Sequence, residues 1–220
     1  MKILGKLFGS PAMVKLLRLF LFNPEQVFTN KEAASRAKIT MDTLRLELSI
    51  MKQMDFIKKK TDYREVPVKK GKTKKKPARG WSASGRKKRV SGWILNEKFP
   101  YLEQLQDFLM SATPVKHKDI PKRLGGSGTI KLIVVAGMFI RNQDSRLDIL
   151  VVGNNIRKAQ LETAIKAIES ELGKELRYAV FETQEFKYRL GVYDRLIRDV
   201  FDYPHEVVLD KIGVESESKN

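Results

Sequence analysis

The chain has 220 residues and is strongly basic, with 43 Lys+Arg against 26 Asp+Glu and a formal net charge of +17. It contains no cysteine, which excludes a disulfide framework, a thiolate nucleophile and a zinc finger and points to a reducing interior. Its two histidines, His117 and His205, lie far apart in sequence, so a histidine-built metal site is not expected and no cofactor is implied.

The positive charge is concentrated at one end. Residues 1–129 carry 29 Lys+Arg against 11 Asp+Glu, whereas residues 130–220 carry 14 against 15. The first part is suited to a polyanion and the second reads as an ordinary neutral domain. At the N-terminus, Lys15 and Arg18 interrupt the apolar run MKILGKLFGSPAMVKLLRLFLF, and no uncharged span of 18 residues occurs anywhere. Neither an export signal nor a membrane helix is therefore expected, and a cytoplasmic, nucleoid-associated location is.

Pro11 to Phe22 predicts a helix with Val14, Leu17 and Leu21 on its buried side, stopped by Asn23-Pro24, and Val27-Phe28 is a candidate short strand. Thr29 stands three residues before Glu32, the spacing of a capping box. A short helix with small Ala33, Ala34 and Ala37 follows, then a turn at Ala37-Lys38-Ile39 and a second helix capped by Thr40. That second helix, over 41–54, buries Leu44, Leu48 and Met51 and leaves Asp42, Thr43, Arg45, Leu46, Ser49 and Lys52 free. With Thr40 these residues are the candidates to meet base edges, as a recognition helix does. Taken alone, two ordinary amphipathic helices would look much the same.

Two extended arms follow, Ile57 to Tyr63 and Gly92 to Leu95, and three helices before a hairpin is the order of a winged helix. The connection between the arms is far longer than a common hairpin loop. Residues 57–90 hold 15 Lys+Arg against Asp62 and Glu65 alone. The candidate phosphate contacts are Lys58, Lys60, Lys69, Lys70, Lys72, Lys74, Lys75, Lys76, Arg79, Arg86, Lys87, Lys88 and Arg89. Too polar to bury a core, this wing is expected to stay mobile until phosphates neutralise it, releasing counterions as they do. A solvated loop or a nuclear-targeting address are the plainer readings, and Trp81 is either a base-stacking ring or a surface anchor. Phe99, Leu102, Leu105, Phe108 and Leu109 then form an apolar stripe on a helix. It either packs on its own domain or joins helix 11–22 in a homodimer through helices 11–22 and 99–109.

Residues 112–129, with two prolines and three glycines, read as a linker, and Gly125-Gly126-Ser127-Gly128 lacks the ending of a phosphate loop. His117 and Lys118 in that stretch have no carboxylate at a meaningful spacing. Beyond it come a strand at Ile130–Ala136, a second at Leu147–Val152 and a helix with Leu161, Ile165, Ile168 and Leu172 on one face, stopped by Gly173. A strand at Tyr178–Phe181, a helical stretch from Gln184 to Phe201 broken near Gly191, and a short strand at Glu206–Leu209 complete it.

Almost the whole chain resembles winged-helix transcriptional regulators fused to a minimal nucleotidyltransferase-like domain. The likeness rests on FGSPAMVKLLRLFLFNPE (8–25), the helix-turn-helix, GWILNEKFPYLEQL (92–105) and LDILVVG (147–153). Active nucleotidyltransferases carry Gly-Ser after the first strand for nucleotide phosphates and Asp-x-Asp on the second for Mg²⁺. This chain has Gly137-Met138 and Arg146-Leu147-Asp148 instead, so the site is vestigial. One carboxylate beside a guanidinium suits an ion pair, Asp148 with Arg146, better than a divalent cation, although an anion could still be bound through Arg141 or Arg146.

The expected fold is α+β: a winged helix-turn-helix over 1–112 with its basic wing at 57–91, a linker at 113–129, a small nucleotidyltransferase-like domain over 130–213 and a polar tail at 214–220. The expected function is a sequence-specific regulator bound to double-stranded DNA, with a non-catalytic second domain for sensing, dimerisation or recruitment. The alternatives are a nucleotidyltransferase acting on nucleic acid and an RNA-binding protein.

Overall fold

A computed structural model of the chain describes residues 2–66, 86–112, 115–140, 142 and 144–214. The architecture is mixed α+β, helices with two small sheets. Around the first sheet gather α1 (Lys2–Leu7), α2 (Pro11–Leu21), α3 (Asn30–Ala37), α4 (Met41–Gln53) and α5 (Leu102–Ser111). The sheet itself is an antiparallel pair, β1 (Ile57–Val66) and β2 (Arg86–Leu95).

Helix α2 is the axis of this part. Ser10 caps it by accepting from the Met13 amide at 2.9 Å, and Pro11 occupies the first turn, where no amide hydrogen is needed. Val14, Leu16 and Phe20 are completely buried, and the Phe20 ring meets Phe28 edge-on at 5.7 Å. Apolar residues surround α2, so it has no face left for a partner chain. The expected homodimer surface on helix 11–22 is thus spent on the protein's own core. On α5 Leu109 is buried, Leu102 and Leu105 pack against the same core, and Phe108 remains exposed.

The second sheet has the order β5-β4-β3-β6, with β3 (Thr129–Val135), β4 (Ile149–Asn154), β5 (Tyr178–Glu182) and β6 (Glu206–Asp210). β3 pairs antiparallel with β4 and β6, and β4 pairs parallel with β5. Successive residues of a strand point to opposite faces, so a continuous apolar run fills two cores. Ile133, Val135, Ile149 and Val151 meet α7 (Lys158–Leu172) on one side. Leu132, Val134, Leu150 and Val152 meet α8 (Thr183–Gly191) and α9 (Arg195–Asp202) on the other.

From Val115 onward the stretch expected to be a linker is folded. His117–Asp119 and Gly125–Ser127 are single 3₁₀ turns flanking α6 (Ile120–Leu124), and Val115, Ile120 and Leu124 are completely buried beside α7. Pro121 fits because it falls in the first turn of α6.

The two parts meet along α7. Gly173 follows that helix at φ +82°, and a Cβ there would lie 2.5 Å from the backbone carbon of Arg18, so both conformation and space demand glycine. Asn23 donates to the carbonyls of Leu19 and Gly173, at 2.7 and 2.8 Å. Arg18 is itself buried, and its guanidinium donates to the carbonyls of Leu109, at 2.9 Å, and Ala112. Burial pushes this guanidinium down to about 10 against the opposing pull of Glu171. It is still charged at neutral pH.

Candidate nucleic-acid interface

The helix pair α3–α4 forms where the spacing of its caps requires. Thr29 accepts from the Glu32 amide at 3.2 Å while Glu32 accepts from the Thr29 amide at 2.8 Å, closing the capping box. Lys38 adopts a left-handed conformation at φ 49° to end α3, and Thr40 caps α4 by accepting from the Thr43 amide at 3.3 Å. Ala33, Ala34 and Ala37 are buried, as close crossing of helices requires.

Of α4, Leu44, Glu47, Leu48 and Met51 are buried, and Ser10 donates to the Glu47 carboxylate. Asp42, Arg45, Leu46, Ser49 and Lys52 stand exposed on its outer face and Thr43 is half-buried. Arg45 is paired with Asp42 at 2.8 Å, and the Thr40 and Thr43 hydroxyls share a hydrogen bond of the same length. The outer face is therefore open but partly pre-ordered by its own contacts.

The hairpin beside α4 is longer than its apolar pattern suggests: the ladder runs from Ile57↔Leu95 to Val66↔Arg86. Arg86, Lys87, Lys88 and Arg89 thus belong to a paired strand, contrary to the expectation of a continuous free loop from 64 to 91. Lys69, Lys70, Lys72, Lys74, Lys75, Lys76 and Arg79, with Trp81, lie outside the described residues. Pairing also sorts the cations. Lys58, Lys60 and Lys88 share one face of the ribbon, whereas Lys87 and Arg89 share the other with Lys59, Tyr63 and Trp93. The wing cations do not form one surface, because adjacent residues in a strand alternate.

Two sets of contacts, one through Trp93 and one through Arg64, fix this ribbon to α3 and the residues just before it. Phe28 and Trp93 exchange backbone hydrogen bonds of 2.8 Å, and the Trp93 indole donates to Asn30 at 2.9 Å. Lys59 lies 5.4 Å from the centre of the Trp93 ring. Arg64 reaches Glu32, Asp62 and the Val27 carbonyl. Burial alone would raise Glu32, but hydrogen bonds from Thr29 and Arg64 outweigh it and hold the carboxyl below its usual range. The only sequence sign of this clamp is the alternation of charge along 58–65.

In the second part Gly137 adopts φ +50°, and a Cβ there would lie 2.2 Å from Asp148 Oδ1. Asp148 is 3% exposed. Its carboxylate accepts from the Met138 amide at 2.9 Å, from the Arg177 amide at 2.8 Å and from the Arg177 guanidinium at 3.2 Å. The expected partner, Arg146, instead pairs with Asp199 on α9 at 2.7 Å. Residues 146 and 148 flank Leu147 just before β4, and their side chains are taken up by different elements. Arg141 lies outside the described residues.

His117 does have a carboxylate partner, Glu206 at 2.6 Å, brought across the sheet by β6, and its other ring nitrogen lies 3.2 Å from the Phe139 carbonyl. His205 contacts the carbonyl of Tyr203 at 2.8 Å. The glycine-rich turn 125–128 sits at the start of α7, where Arg157 binds the carbonyls of Ser127 and Gly126. A cavity of about 340 Å³ opens there, and Arg123 on its wall is paired with Glu171 at 2.8 Å. Among the described residues no group of three or more His, Cys, Asp or Glu is placed to hold a metal ion, and no helix is long and apolar enough to cross a membrane.

No protein-family model, no curated protein and no solved structure matches this chain.

Proposed function

We propose that this chain is a sequence-specific DNA-binding regulator of the winged-helix kind, acting on double-stranded DNA. The observation that carries the reading is an exposed face of α4 with Arg45, Ser49 and Lys52, on a helix that leads directly into a ribbon carrying Lys58, Lys60 and Lys88 on one face and Lys87 and Arg89 on the other. A helix of this length fits a major groove, and its polar outer face can reach base edges. The ribbon supplies phosphate contacts, which position the protein and provide affinity without sequence information. Arg64, tied to Glu32 and the Val27 carbonyl, anchors the ribbon to α3 and the residues just before it.

The nucleotidyltransferase-like second part acts in sensing, dimerisation or recruitment rather than in catalysis. Asp148, the one carboxylate at the position of a metal ligand, is saturated by two amides and a guanidinium. Mg²⁺ needs carboxylate oxygens that are free to coordinate it.

The test is selection from a random duplex pool followed by titration at several salt concentrations. A regulator of this kind enriches one site. Deleting residues 69–89 is expected to lower the slope of log K against log salt by about 0.9 for each phosphate that the shortened ribbon can no longer neutralise. An unchanged slope removes residues 69–89 from the interface, and enrichment of no site removes sequence specificity.

A further inference from the structure

The outer face of α4 is not uniformly polar. Leu46, Ile50 and Met54 are 63, 38 and 46% exposed and follow one another at intervals of four residues, which places them in a single row along the helix. Leu46 falls in the middle of the open face, with Arg45 and Ser49 to one side and Ile50 to the other. Large aliphatic groups left in water along a helix that already buries Leu44, Leu48 and Met51 are not needed for the fold. Such a row fits a surface that offers apolar groups.

We infer that this row reads the C5-methyl groups of thymines in the major groove, so that the bound site carries thymine opposite Leu46 and Ile50 and the protein distinguishes DNA from RNA. The inference rests on the duplex-DNA reading given above. Charge decides between nucleic acid and an apolar protein partner. The row is bordered by Arg45 and Lys52 on α4, and the ribbon that follows this helix in the chain carries Lys58, Lys60 and Lys88 on one face and Lys87 and Arg89 on the other. Cations bordering the row complement the phosphates that border a groove. Within the groove the thymine methyl is the only aliphatic group a base presents. RNA lacks this methyl, and its A-form major groove is too narrow and deep for a helix to enter. Arg45 can read a guanine edge beside it, giving mixed recognition from one face.

The experiment uses the full chain and the duplex that it enriches from a random pool. Each thymine is replaced in turn by deoxyuridine, which deletes one methyl, and binding is measured by fluorescence anisotropy at fixed salt. At the positions facing α4 each replacement is expected to weaken binding roughly fourfold, as for one buried methyl. In Leu46→Ala and Ile50→Ala, each shown by circular dichroism to be folded, thymine and uracil duplexes are expected to bind alike at the matching position. The inference is overturned if uracil is tolerated at every position, which leaves the row to a protein partner, or if the uracil effect survives both substitutions. Enrichment of no duplex overturns the DNA reading itself, a separate and distinguishable result.

Discussion

Replacing Asp148 separates a structural clamp from a remnant of catalysis. In Asp148→Ala the amides of Met138 and Arg177 are deprived of their acceptor in a position where Asp148 is only 3% exposed. A fully buried amide left without a partner costs about 1–3 kcal/mol; these two are part-buried, so the pair amounts to at most about 2–6 kcal/mol. The Arg177 guanidinium is 52% exposed and adds less than about 1 kcal/mol, because water takes over its solvation. Against a usual total stability of about 5–15 kcal/mol the loss is large. Urea denaturation followed by circular dichroism reads it directly. Asp148→Asn keeps one acceptor oxygen but turns an amide group toward the other donor, so its loss is expected to be smaller. Calorimetry with Mg²⁺ and nucleoside triphosphate is expected to detect no metal-dependent binding in the parent protein. The reasoning is refuted if Asp148→Ala is within about 0.5 kcal/mol of the parent in stability while abolishing such binding.

Arg45→Ala is expected to reduce discrimination between sites by about 1–3 kcal/mol, whereas Lys58→Ala weakens all duplexes alike and lowers the salt slope by about 0.9. Competition anisotropy with the selected site and a scrambled one measures both, and equal behaviour of the two variants places Arg45 on phosphate only. Arg18→Met leaves the carbonyls of Leu109 and Ala112 without their donor, for a net loss of about 2 kcal/mol in urea denaturation, part of the cost being offset by removal of a buried charge. Glu32 has its carboxyl below the ordinary 4.5 in the folded chain, so its contribution is complete above that pH and is lost as pH falls through the folded value. Glu32→Gln is accordingly expected to flatten the decline of stability below pH 4.5, and an unchanged acid limb speaks against the clamp.

Sequence signals are legible wherever the chemistry is local. The capping box at Thr29 and Glu32, the Thr40 cap and the Leu44, Leu48, Met51 stripe define α3 and α4 from spacing alone, because each interaction lies within a turn or two. The apolar strands of the second sheet are equally plain. Partners distant in sequence are not. Proximity in the chain assigns Asp148 to Arg146, but the neighbours that each side chain meets come from elsewhere in the fold. Asp148 meets Arg177 from the approach to β5, and Arg146 meets Asp199 from α9. Prolines and glycines in 113–129 suggest a linker, although Pro121 only opens α6 and Ile120 and Leu124 on either side are core. The wing cations look like one cluster because composition carries no strand register.

The placement of the second part bears on how the proposed recognition would be controlled. It docks through α7 against α2 and α3. Lys38, in the turn between α3 and α4, donates to the Thr163 carbonyl of α7 at 2.9 Å, and Arg36 of α3 pairs with Glu175 just beyond that helix. Lys15 of α2 donates to the Ala37 carbonyl in the same turn at 3.1 Å. Burial lowers Lys15 from its ordinary value while Glu171 on α7 opposes the shift, so the turn is bounded by charges from both parts. A rearrangement of α7 would therefore act first on the turn that leads into α4, without touching the outer face of that helix. Such coupling requires two arrangements of α7 that differ in how they hold Lys38. Lys38→Ala removes one tie and leaves the outer face of α4 intact. If the turn transmits the state of the second part, this variant changes affinity for the selected duplex while its salt slope stays that of the parent, because the phosphate contacts are unaltered. A variant with parental affinity shows that α4 is held by α2 and the ribbon alone.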